Sequence, residues 1–421
     1  MKSPIRLVSE FLFIILLCIG FLYLGGTERK TSPAVANALV KKNSSFITKP
    51  ENGISVYNQA LSFPGLTLIA ENGSAEVKLI NQLGETKHKW NVDVERARLL
   101  PNCNLLVIHG SKWGLQNEPW MHLRSKVREY SWSGEVVWEH KIPQRPHHDI
   151  QRLENGNTLV ITRARVPTEY RTNITDPVRL DARILTDGIE EISPSGEIVW
   201  EWKFYETFDA NRCGAGPCKP SGLTPPPGAK RVTFDWTHLN TVQPLPENKW
   251  YDSGDARFKP GNLVIIARNW STIFILDKET KQAVWEYRGD DDYKLRSGHE
   301  AHMIPKGLAG AGNILVFNNN VNPFKKTKSG SSKIMELNPI SKKPVWIYEN
   351  GKEFFSEGAG SVQRLPNGNT LISEDEGYSV FEVTPNNEIV WQYNGTSRIA
   401  RAQRYSYQYC SNFSALHHFS Y

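Results

Sequence analysis

Three histidines in well-separated parts of the chain occupy the same place relative to a short apolar strand. His148 precedes Gly156–Ile161, His238 precedes Gly261–Ile266, and His299 precedes Gly312–Asn320. A residue that recurs in register in several repeat units is brought to one spot when the units are arranged in a ring. We therefore expect the three imidazoles to form one shared site.

Two further polar side chains belong to the same unit as His238. Asn240 follows His238 by two positions, so both side chains lie on one face of a strand, and Arg268 follows the apolar run 262–267. A guanidinium and an amide bind the oxygens of sulfate or phosphate, whereas three imidazoles alone could bind a transition metal. Because of Arg268 and Asn240 we favour an oxyanion substrate, without a metal or another cofactor.

The chemistry expected of this set is group transfer by nucleophilic catalysis. A neutral imidazole is a competent nucleophile, and positively charged neighbours lower the pKa of a histidine and keep it neutral. We assign the role of nucleophile to His299. The two remaining histidines would stabilise charge on the transferred group, and one of them would act as an acid or a base.

Alternatives remain open for several of these residues. His147 is an alternative to His148 as the inward-facing member of the pair, and Arg268 could instead form a salt bridge between neighbouring units. We interpret Asp149 and Asp235 as turn or supporting residues rather than as catalytic acids.

A repeat that starts near residue 65 would position these side chains. Asn-Gly turns between apolar runs, as in Glu154–Leu159 and Pro366–Leu371, predict tight hairpins. Each unit closes on a tryptophan, namely Trp90, Trp138, Trp200, Trp285, Trp346 and Trp391. Repeats of this size with four short strands each are typical of a β-propeller. We predict an all-β, six-bladed propeller over residues 65–405, with each closing tryptophan packed between neighbouring blades and a C-terminal tail at 406–421.

The N-terminus has the pattern of an export signal. Lys2 and Arg6 precede the apolar run Phe11–Leu24, so residues 1–26 are predicted to form a hydrophobic helix that is a signal anchor or a cleaved signal peptide. The propeller would then be periplasmic or extracellular, with the membrane as a partner through this segment. Residues 27–64 are predicted to be a linker and lead-in.

Charge and cysteine content narrow the partners and the compartment. The net charge is +6 without a basic run, which indicates no nucleic-acid partner. In an oxidising compartment Cys213 and Cys218 are predicted to form a small disulfide loop. For Cys103 and Cys410, a disulfide and two buried thiols are both compatible with the sequence.

Four segments together resemble the arylsulfate sulfotransferases. They are His147–Leu159, Asp235–Val242, Val264–Arg268 and Gly298–Ile304. The resemblance implies a six-bladed propeller with a central site, and ping-pong transfer of a sulfuryl group from a phenolic sulfate ester to a phenolic acceptor. It places the sulfated histidine at His299 and the remaining imidazole at His148. His238, Asn240 and Arg268 fall on the group that holds the sulfuryl oxygens.

The sequence departs from the family in two places. The family's helper hydroxyl in the last blade has only Ser361 as a candidate, and Gly298-His299-Glu300 replaces the commoner Gln-His-Asp. A non-catalytic binding propeller is therefore kept as the alternative. A homodimer is compatible with either function. A quinone- or metal-dependent oxidoreductase is disfavoured, because carboxylate ligands for a central cation are not evident.

Overall fold

The computed structural model describes residues 52–110, 112–214, 232–322, 330–399 and 401–416. The predicted N-terminal hydrophobic helix of residues 1–26 lies outside this part of the chain. Among the helices that are described, none is both long and apolar enough to cross a bilayer.

Six sheets, antiparallel apart from one parallel strand pair in which Arg183 lies opposite Thr233, account for nearly all regular structure in the described residues. The strands before and in the first two blades are β1 (Ile54–Tyr57), β2 (Leu66–Glu71), β3 (Glu76–Ile80), β4 (Thr86–Trp90), β5 (Arg96–Leu99), β6 (Leu105–Ile108), β7 (Lys126–Tyr130) and β8 (Val136–Lys141). Those of the next two are β9 (Pro146–Arg152), β10 (Thr158–Arg165), β11 (Arg183–Ile192), β12 (Ile198–Lys203), β13 (Thr233–Asp235), β14 (Leu239–Pro244), β15 (Leu263–Ala267), β16 (Thr272–Leu276) and β17 (Ala283–Tyr287). The last are β18 (Glu300–Met303), β19 (Ile314–Asn318), β20 (Lys333–Asn338), β21 (Lys343–Tyr348), β22 (Ser361–Arg364), β23 (Thr370–Glu374), β24 (Ser379–Val383), β25 (Ile389–Asn394) and β26 (Gln403–Tyr405).

The sheets are the blades of a six-bladed propeller, which confirms the predicted architecture. Within a blade the strands pair in chain order, as in β5-β6-β7-β8 and β14-β15-β16-β17. The first strands of successive blades contact one another, β5 with β9, β9 with β14 and β14 with β18. These first strands therefore surround the central axis. Asn-Gly turns shape the hairpins as expected, since Gly156 and Gly368 have φ of 85° and 88°.

Both ends of the described chain take part in closing the ring. β26 pairs with β2, with Tyr405 opposite Leu66, and becomes the first strand of blade 1. At the other edge β1 pairs with β25, with Tyr57 opposite Trp391, and adds a fifth strand to blade 6. β1 lies within the segment 27–64 that was predicted to be linker and lead-in, so paired structure begins ahead of residue 65.

Each closing tryptophan donates its indole N–H to a turn carbonyl of the next blade. The acceptors and distances are Ser131 at 2.9 Å for Trp90, Pro194 at 3.1 Å for Trp138, Lys278 at 2.9 Å for Trp200, Pro339 at 2.8 Å for Trp285, Pro385 at 2.9 Å for Trp346, and Gln82 at 2.8 Å for Trp391. The last of these joins blade 6 to blade 1. The predicted packing of these side chains between blades is confirmed, and the hydrogen bonds set the angular position of each blade.

Short helices lie in the loops between the strands. They are α1 (Trp120–Leu123), α2 (Pro177–Asp181), α3 (Phe204–Thr207), α4 (Lys249–Asp252) and α5 (Phe413–Leu416). A disulfide joins Cys103, beside β6, to Cys410 in the segment after β26, with the two Cα atoms 5.5 Å apart. Cys213 is also disulfide-bonded, and its predicted partner Cys218 lies outside the described residues.

Strand direction determines where the site is. Because the strands of a blade alternate in direction, the start of the first strand and the end of the second strand lie at the same end of the blade. His148 is at the start of β9, while His238 and His299 immediately precede β14 and β18. Arg268 immediately follows β15. All four residues therefore lie at one mouth of the central channel.

Candidate active site

The backbone at the start of three of the first strands passes through a left-handed residue. His148 and His238 have φ of 62° and 54°, and in the blade of His299 the left-handed residue is Ser297 at 54°. Left-handed conformations of residues other than glycine are costly and cluster at functional sites.

His148 and His238 face each other across two blades. Their Nε2 atoms are 3.2 Å apart. His148 Nδ1 lies 2.7 Å from Glu95 Oε1, which also accepts from the His148 backbone N–H at 2.9 Å. On the opposite side, His238 Nδ1 lies 2.5 Å from Asp235 Oδ2. Burial lowers the pKa of His148 to about 3, against the opposing effect of Glu95.

His299 is buried, with 8% of its surface exposed. Its Nδ1 lies 2.6 Å from Asn319 Oδ1 and 3.0 Å from the carbonyl oxygen of Ser297. The Asn319 amide nitrogen donates to the carbonyls of Ser356 and Ala359, both at 2.9 Å, which fixes the orientation of that amide. Both neighbours of Nδ1 are therefore acceptors, so Nδ1 carries the hydrogen and Nε2 carries the lone pair.

The electrostatic surroundings keep His299 neutral. Burial is the main cause that lowers its pKa well below the ordinary value, and the positive charges of Arg268 and Arg401 act in the same direction. His148 also contributes. A neutral ring with a free Nε2 lone pair is the form that a nucleophile requires.

Arg268 is held beside His238 by its backbone and its side chain. Its N–H donates to the His238 carbonyl at 3.1 Å, and its Nη1 donates to Asn269 Oδ1 at 3.0 Å. Asn269 in turn donates to the carbonyl of Asp235 at 2.7 Å. Burial lowers the pKa of Arg268, opposed by the charges of Asp235 and Glu357.

The side chain of Asn240 makes a hydrogen bond to the neighbouring blade. Its amide nitrogen donates to the carbonyl of Gly298 at 3.2 Å, inside the protein. The Asn240 side chain is completely buried, and its Oδ1 has no hydrogen-bond partner in the described structure. Asn240 lies in the blade next to that of His299. Its hydrogen bond to Gly298 therefore holds the backbone directly ahead of His299.

An arginine that sequence reasoning missed lies below the histidines. Arg401 Nη2 donates to the backbone carbonyls of His299, at 3.0 Å, and of Asn240. Asp149 Oδ1 lies 3.7 Å from Arg401 Nη1 and accepts from Arg98 at 2.9 Å and from Arg96 at 3.3 Å. Burial raises the pKa of Asp149, but the three arginines outweigh it and hold the value at about 2. Asp149 is thus a supporting residue, as expected.

His147 packs its ring edge-on against His148, with the ring centroids 4.7 Å apart, but directs its Nε2 at a carboxylate. Its Nε2 lies 3.0 Å from Asp187 Oδ1, and the side chain is buried. Asp187 Oδ2 accepts from Thr237 Oγ1 at 2.6 Å and from the Leu239 backbone at 2.7 Å. His147 therefore supports the backbone around His238, and His148 is the histidine that faces the channel mouth.

Ser361 is the first residue of β22 in blade 6, and its pairing with β23 matches the pairing of Glu300 with β19 in blade 5. It follows left-handed Ala359 (φ 58°) by two residues, as His299 follows Ser297. The Ser361 side chain is buried, and its Oγ has no hydrogen-bond partner among the described residues. An unsatisfied buried hydroxyl is costly unless it binds water or a ligand.

The residues that sequence reasoning missed are Glu95, Asn319 and Arg401. Glu95 left no signal, because it lies in the connection to another blade. Asn319 is the middle residue of an Asn-Asn-Asn run directly after β19, and that run was the available clue. As for cations, no group of three or more His, Cys, Asp or Glu side chains within the described ranges could hold a metal ion.

The fold and the site define a six-bladed propeller with a histidine-lined site at one mouth of its channel. The sequence pattern of the arylsulfotransferase (ASST) family matches residues 124–396, more than half of the chain. This protein belongs to the arylsulfotransferase family.

Similar proteins of other kinds are distant. No curated protein sequence matches the chain. A solved structure of a protein of unknown function from Bacteroides caccae is 13% identical, with a TM-score of 0.47 over 81% of this chain and 99% of that one. The periplasmic gluconolactonase of Pseudomonas aeruginosa is 10% identical, with a TM-score of 0.47 over 82% and 99%. A streptogramin B lyase is 11% identical, with a TM-score of 0.41 over 84% and 87%. At these TM-scores the likenesses carry no argument about chemistry.

Proposed function

We propose that this protein is an arylsulfotransferase that moves a sulfuryl group from a phenolic sulfate ester to a phenolic acceptor through a sulfated His299. The observation that carries the proposal is the arrangement at His299, where Asn319 and the Ser297 carbonyl take the Nδ1 hydrogen. The Nε2 lone pair is thereby left for attack on sulfur. Family membership supports the substrate class.

In the first half-reaction Nε2 of His299 forms a bond to sulfur while the ester S–O bond breaks and a phenol departs. In the second half-reaction the oxygen of an acceptor phenol attacks the same sulfur, and the S–N bond breaks. Negative charge builds up on the sulfuryl oxygens and the phenolic oxygen in both transition states. Arg268 provides N–H donors for this charge, and His148 and His238 lie beside it at the same mouth of the channel.

Mass spectrometry tests the covalent intermediate directly. The protein is mixed with 4-nitrophenyl sulfate without an acceptor, and the expected product is a chain heavier by one sulfuryl group, with the group localised to His299 by peptide mapping under alkaline conditions. His299→Ala should abolish both the adduct and nitrophenol release. His122→Ala, at an exposed histidine in α1, is the matched control and should retain both.

Two results would refute the proposal. One is nitrophenol release by His299→Ala at the wild-type rate. The other is a folded wild type that neither forms an adduct nor releases phenol with any aryl sulfate and acceptor pair, which is what the non-catalytic binding propeller predicts.

We also propose that the propeller is exported, with residues 1–26 as a signal anchor or signal peptide. The Cys103–Cys410 disulfide supports this, because disulfides persist in oxidising compartments. Fractionation of cells that express the full chain, with protease treatment of the outer face of the membrane, tests the placement. A protease-protected propeller in the cytoplasmic fraction would contradict it.

A further inference from the structure

The contact between His148 and His238 determines how many protons these two side chains hold. Their Nε2 atoms face each other at 3.2 Å, and each Nδ1 is directed at a carboxylate, Glu95 on one side and Asp235 on the other. The four side chains form a row of carboxylate, imidazole, imidazole and carboxylate. Glu95 precedes β5, His148 lies in β9, Asp235 ends β13 and His238 precedes β14, so three blades contribute to the row.

The outer hydrogen bonds fix the hydrogens on both Nδ1 atoms. An ionised carboxylate accepts hydrogen bonds only. Burial raises the pKa of Glu95, but His148 outweighs it and holds the value at about 2; the pKa of Asp235 is also lowered, against burial, mainly by His238. Both carboxylates are therefore ionised at neutral pH, and both Nδ1 atoms carry a hydrogen that they donate outward.

The inner contact then requires one more proton. Two neutral rings with both Nδ1 atoms protonated would direct two lone pairs at each other across 3.2 Å. Two added protons would place two hydrogens in the same gap. A single proton gives one N–H···N hydrogen bond, so the geometry favours a pair that holds one proton between its Nε2 atoms.

We propose that His148 and His238 act as one proton carrier in the transfer reaction, and that Glu95 and Asp235 are the positioning residues that make the pair share a proton. This inference rests on the proposed sulfuryl transfer through His299. It goes beyond it by assigning the acid and base function to a two-ring unit, with each carboxylate acting through the ring that it orients.

The proton balances over the two half-reactions. When the ester S–O bond breaks, the shared proton moves to the departing phenolate oxygen. The two rings are then neutral and no longer joined by a hydrogen bond while Nε2 of His299 is bonded to sulfur. When the acceptor attacks, its phenolic proton moves to the pair as the new S–O bond forms and the S–N bond breaks. The enzyme returns to its starting state with no net gain or loss of protons.

The groups that surround the pair favour a single positive charge. The described titratable or charged side chains near it are Glu95, His147, Arg163, Asp187, Asp235, Arg268 and His299. Among these, Arg163 lies 3.6 Å from Asp187 and 3.8 Å from Asp235. With His147 and His299 neutral, three carboxylates face two guanidinium groups, and the shared proton brings the local charge to balance.

A comparison of leaving groups separates this role from a merely structural one. Nitrophenolate departs without a proton, whereas unsubstituted phenolate needs one, so loss of a general acid should matter only for the second. In a ping-pong reaction kcat/KM for the donor reports only the first half-reaction, in which the pair acts as the acid. Glu95→Gln and Asp235→Asn should each lower kcat/KM for phenyl sulfate by about a hundredfold and leave kcat/KM for 4-nitrophenyl sulfate within about threefold of the wild type. Glu95→Asp should restore part of the loss, and Glu279→Gln, at an exposed carboxylate, should behave as the wild type.

Equal losses with both donors in Glu95→Gln and Asp235→Asn would overturn the inference, since misplacement of His299 would slow both reactions alike. The wild type in this experiment also tests the proposed function separately. Absence of any transfer in the wild type would refute the enzyme itself, whereas normal transfer with no dependence on the leaving group would refute only the proton carrier.

NMR spectroscopy tests the shared proton without an activity assay. In protein with ¹⁵N-labelled histidine, the wild type should show two coupled rings with hydrogen on both Nδ1 atoms and one proton shared between the Nε2 atoms. His148→Gln should remove the shared signal and leave that of His299 in place. Two independent neutral rings in the wild type at neutral pH would overturn the inference.

Discussion

Asn319 Oδ1 lies 2.6 Å from Nδ1 of His299, and the two residues come from adjacent strands of the same blade. Since the Asn319 amide is itself anchored by two backbone carbonyls, it acts as a rigid acceptor that selects one tautomer of the histidine. The position of the reactive lone pair is thus set by a residue twenty positions later in the chain.

The first prediction concerns this tautomer. Asn319→Leu should lower kcat/KM for aryl sulfates by about 10²-fold or more, because an unfixed ring exposes the wrong nitrogen for part of the time. Asn320→Gly is the matched control, since Asn320 has φ of 57° and glycine adopts that conformation without strain. Steady-state rates of phenol release measure the effect, and equal activities of the two variants would contradict it.

The second prediction is a loss of stability on acidification, which we assign in part to His109. This side chain is buried at the end of β6, with Nδ1 3.0 Å from the Asp93 carbonyl and Nε2 3.1 Å from the Tyr130 hydroxyl. Burial is the main cause that lowers its pKa to about 4. Below pH 6.5 the unfolded chain binds a proton here that the folded protein does not bind. The contribution is therefore complete above pH 6.5 and is lost as the pH falls towards 4.

Urea denaturation at several pH values tests this sign. Between pH 6.5 and 4 one such histidine accounts for a loss of about 3 kcal/mol at most in the free energy of unfolding. His109→Gln, whose side chain is not ionised, should reduce the slope of the unfolding free energy against pH. The buried Asp375 has the opposite sign, because burial raises its pKa to about 7, but it is present in both proteins and cancels in the difference. An identical slope in the two proteins would show that His109 is not responsible.

The third prediction concerns the disulfide between Cys103 and Cys410. It ties the segment after β26 to the loop beside β6, and both cysteines are buried. The double variant Cys103→Ala/Cys410→Ala should lose about 2–5 kcal/mol of stability. Thermal unfolding with and without a reductant measures this. If the reductant lowers the Tm of the wild type no more than the Tm of the double variant, this disulfide does not contribute the predicted stability.

The fourth prediction uses the ring of tryptophans. Trp391 is completely buried and donates to the Gln82 carbonyl at 2.8 Å, so Trp391→Phe leaves a carbonyl without its donor and should cost about 1–3 kcal/mol from that loss alone. Trp138→Phe removes the equivalent bond to Pro194, which is exposed to water, and should cost less. The urea midpoints of the two variants measure their losses of stability. Equal losses would show that the buried hydrogen bond of Trp391 contributes no more than the exposed one of Trp138.

The blades could be predicted from the sequence because their signals are local. Asn-Gly turns such as that at Gly156 and closing residues such as Trp138 each specify a hairpin or a blade edge within a few residues. The placement of His148, His238 and Arg268 at one channel mouth also followed from their position relative to a strand. These inferences needed only strand direction and the assumption of a ring.

The contacts of the site could not be predicted in the same way, because they join residues that are far apart in the chain. Glu95 and His148 are separated by 53 positions, and no pattern in either segment indicates the other. The group that the Asn240 amide meets, the carbonyl of Gly298, lies in the neighbouring blade and could not be read from the segment around Asn240.

Arg401 stands immediately ahead of β26, the strand that completes blade 1. Translation delivers this guanidinium after His148, His238 and His299 have been synthesised. A polypeptide that stops short of residue 401 would carry these three imidazoles and still lack the cation that donates to the His299 carbonyl. Under the proposed function, an interrupted product would therefore be inactive.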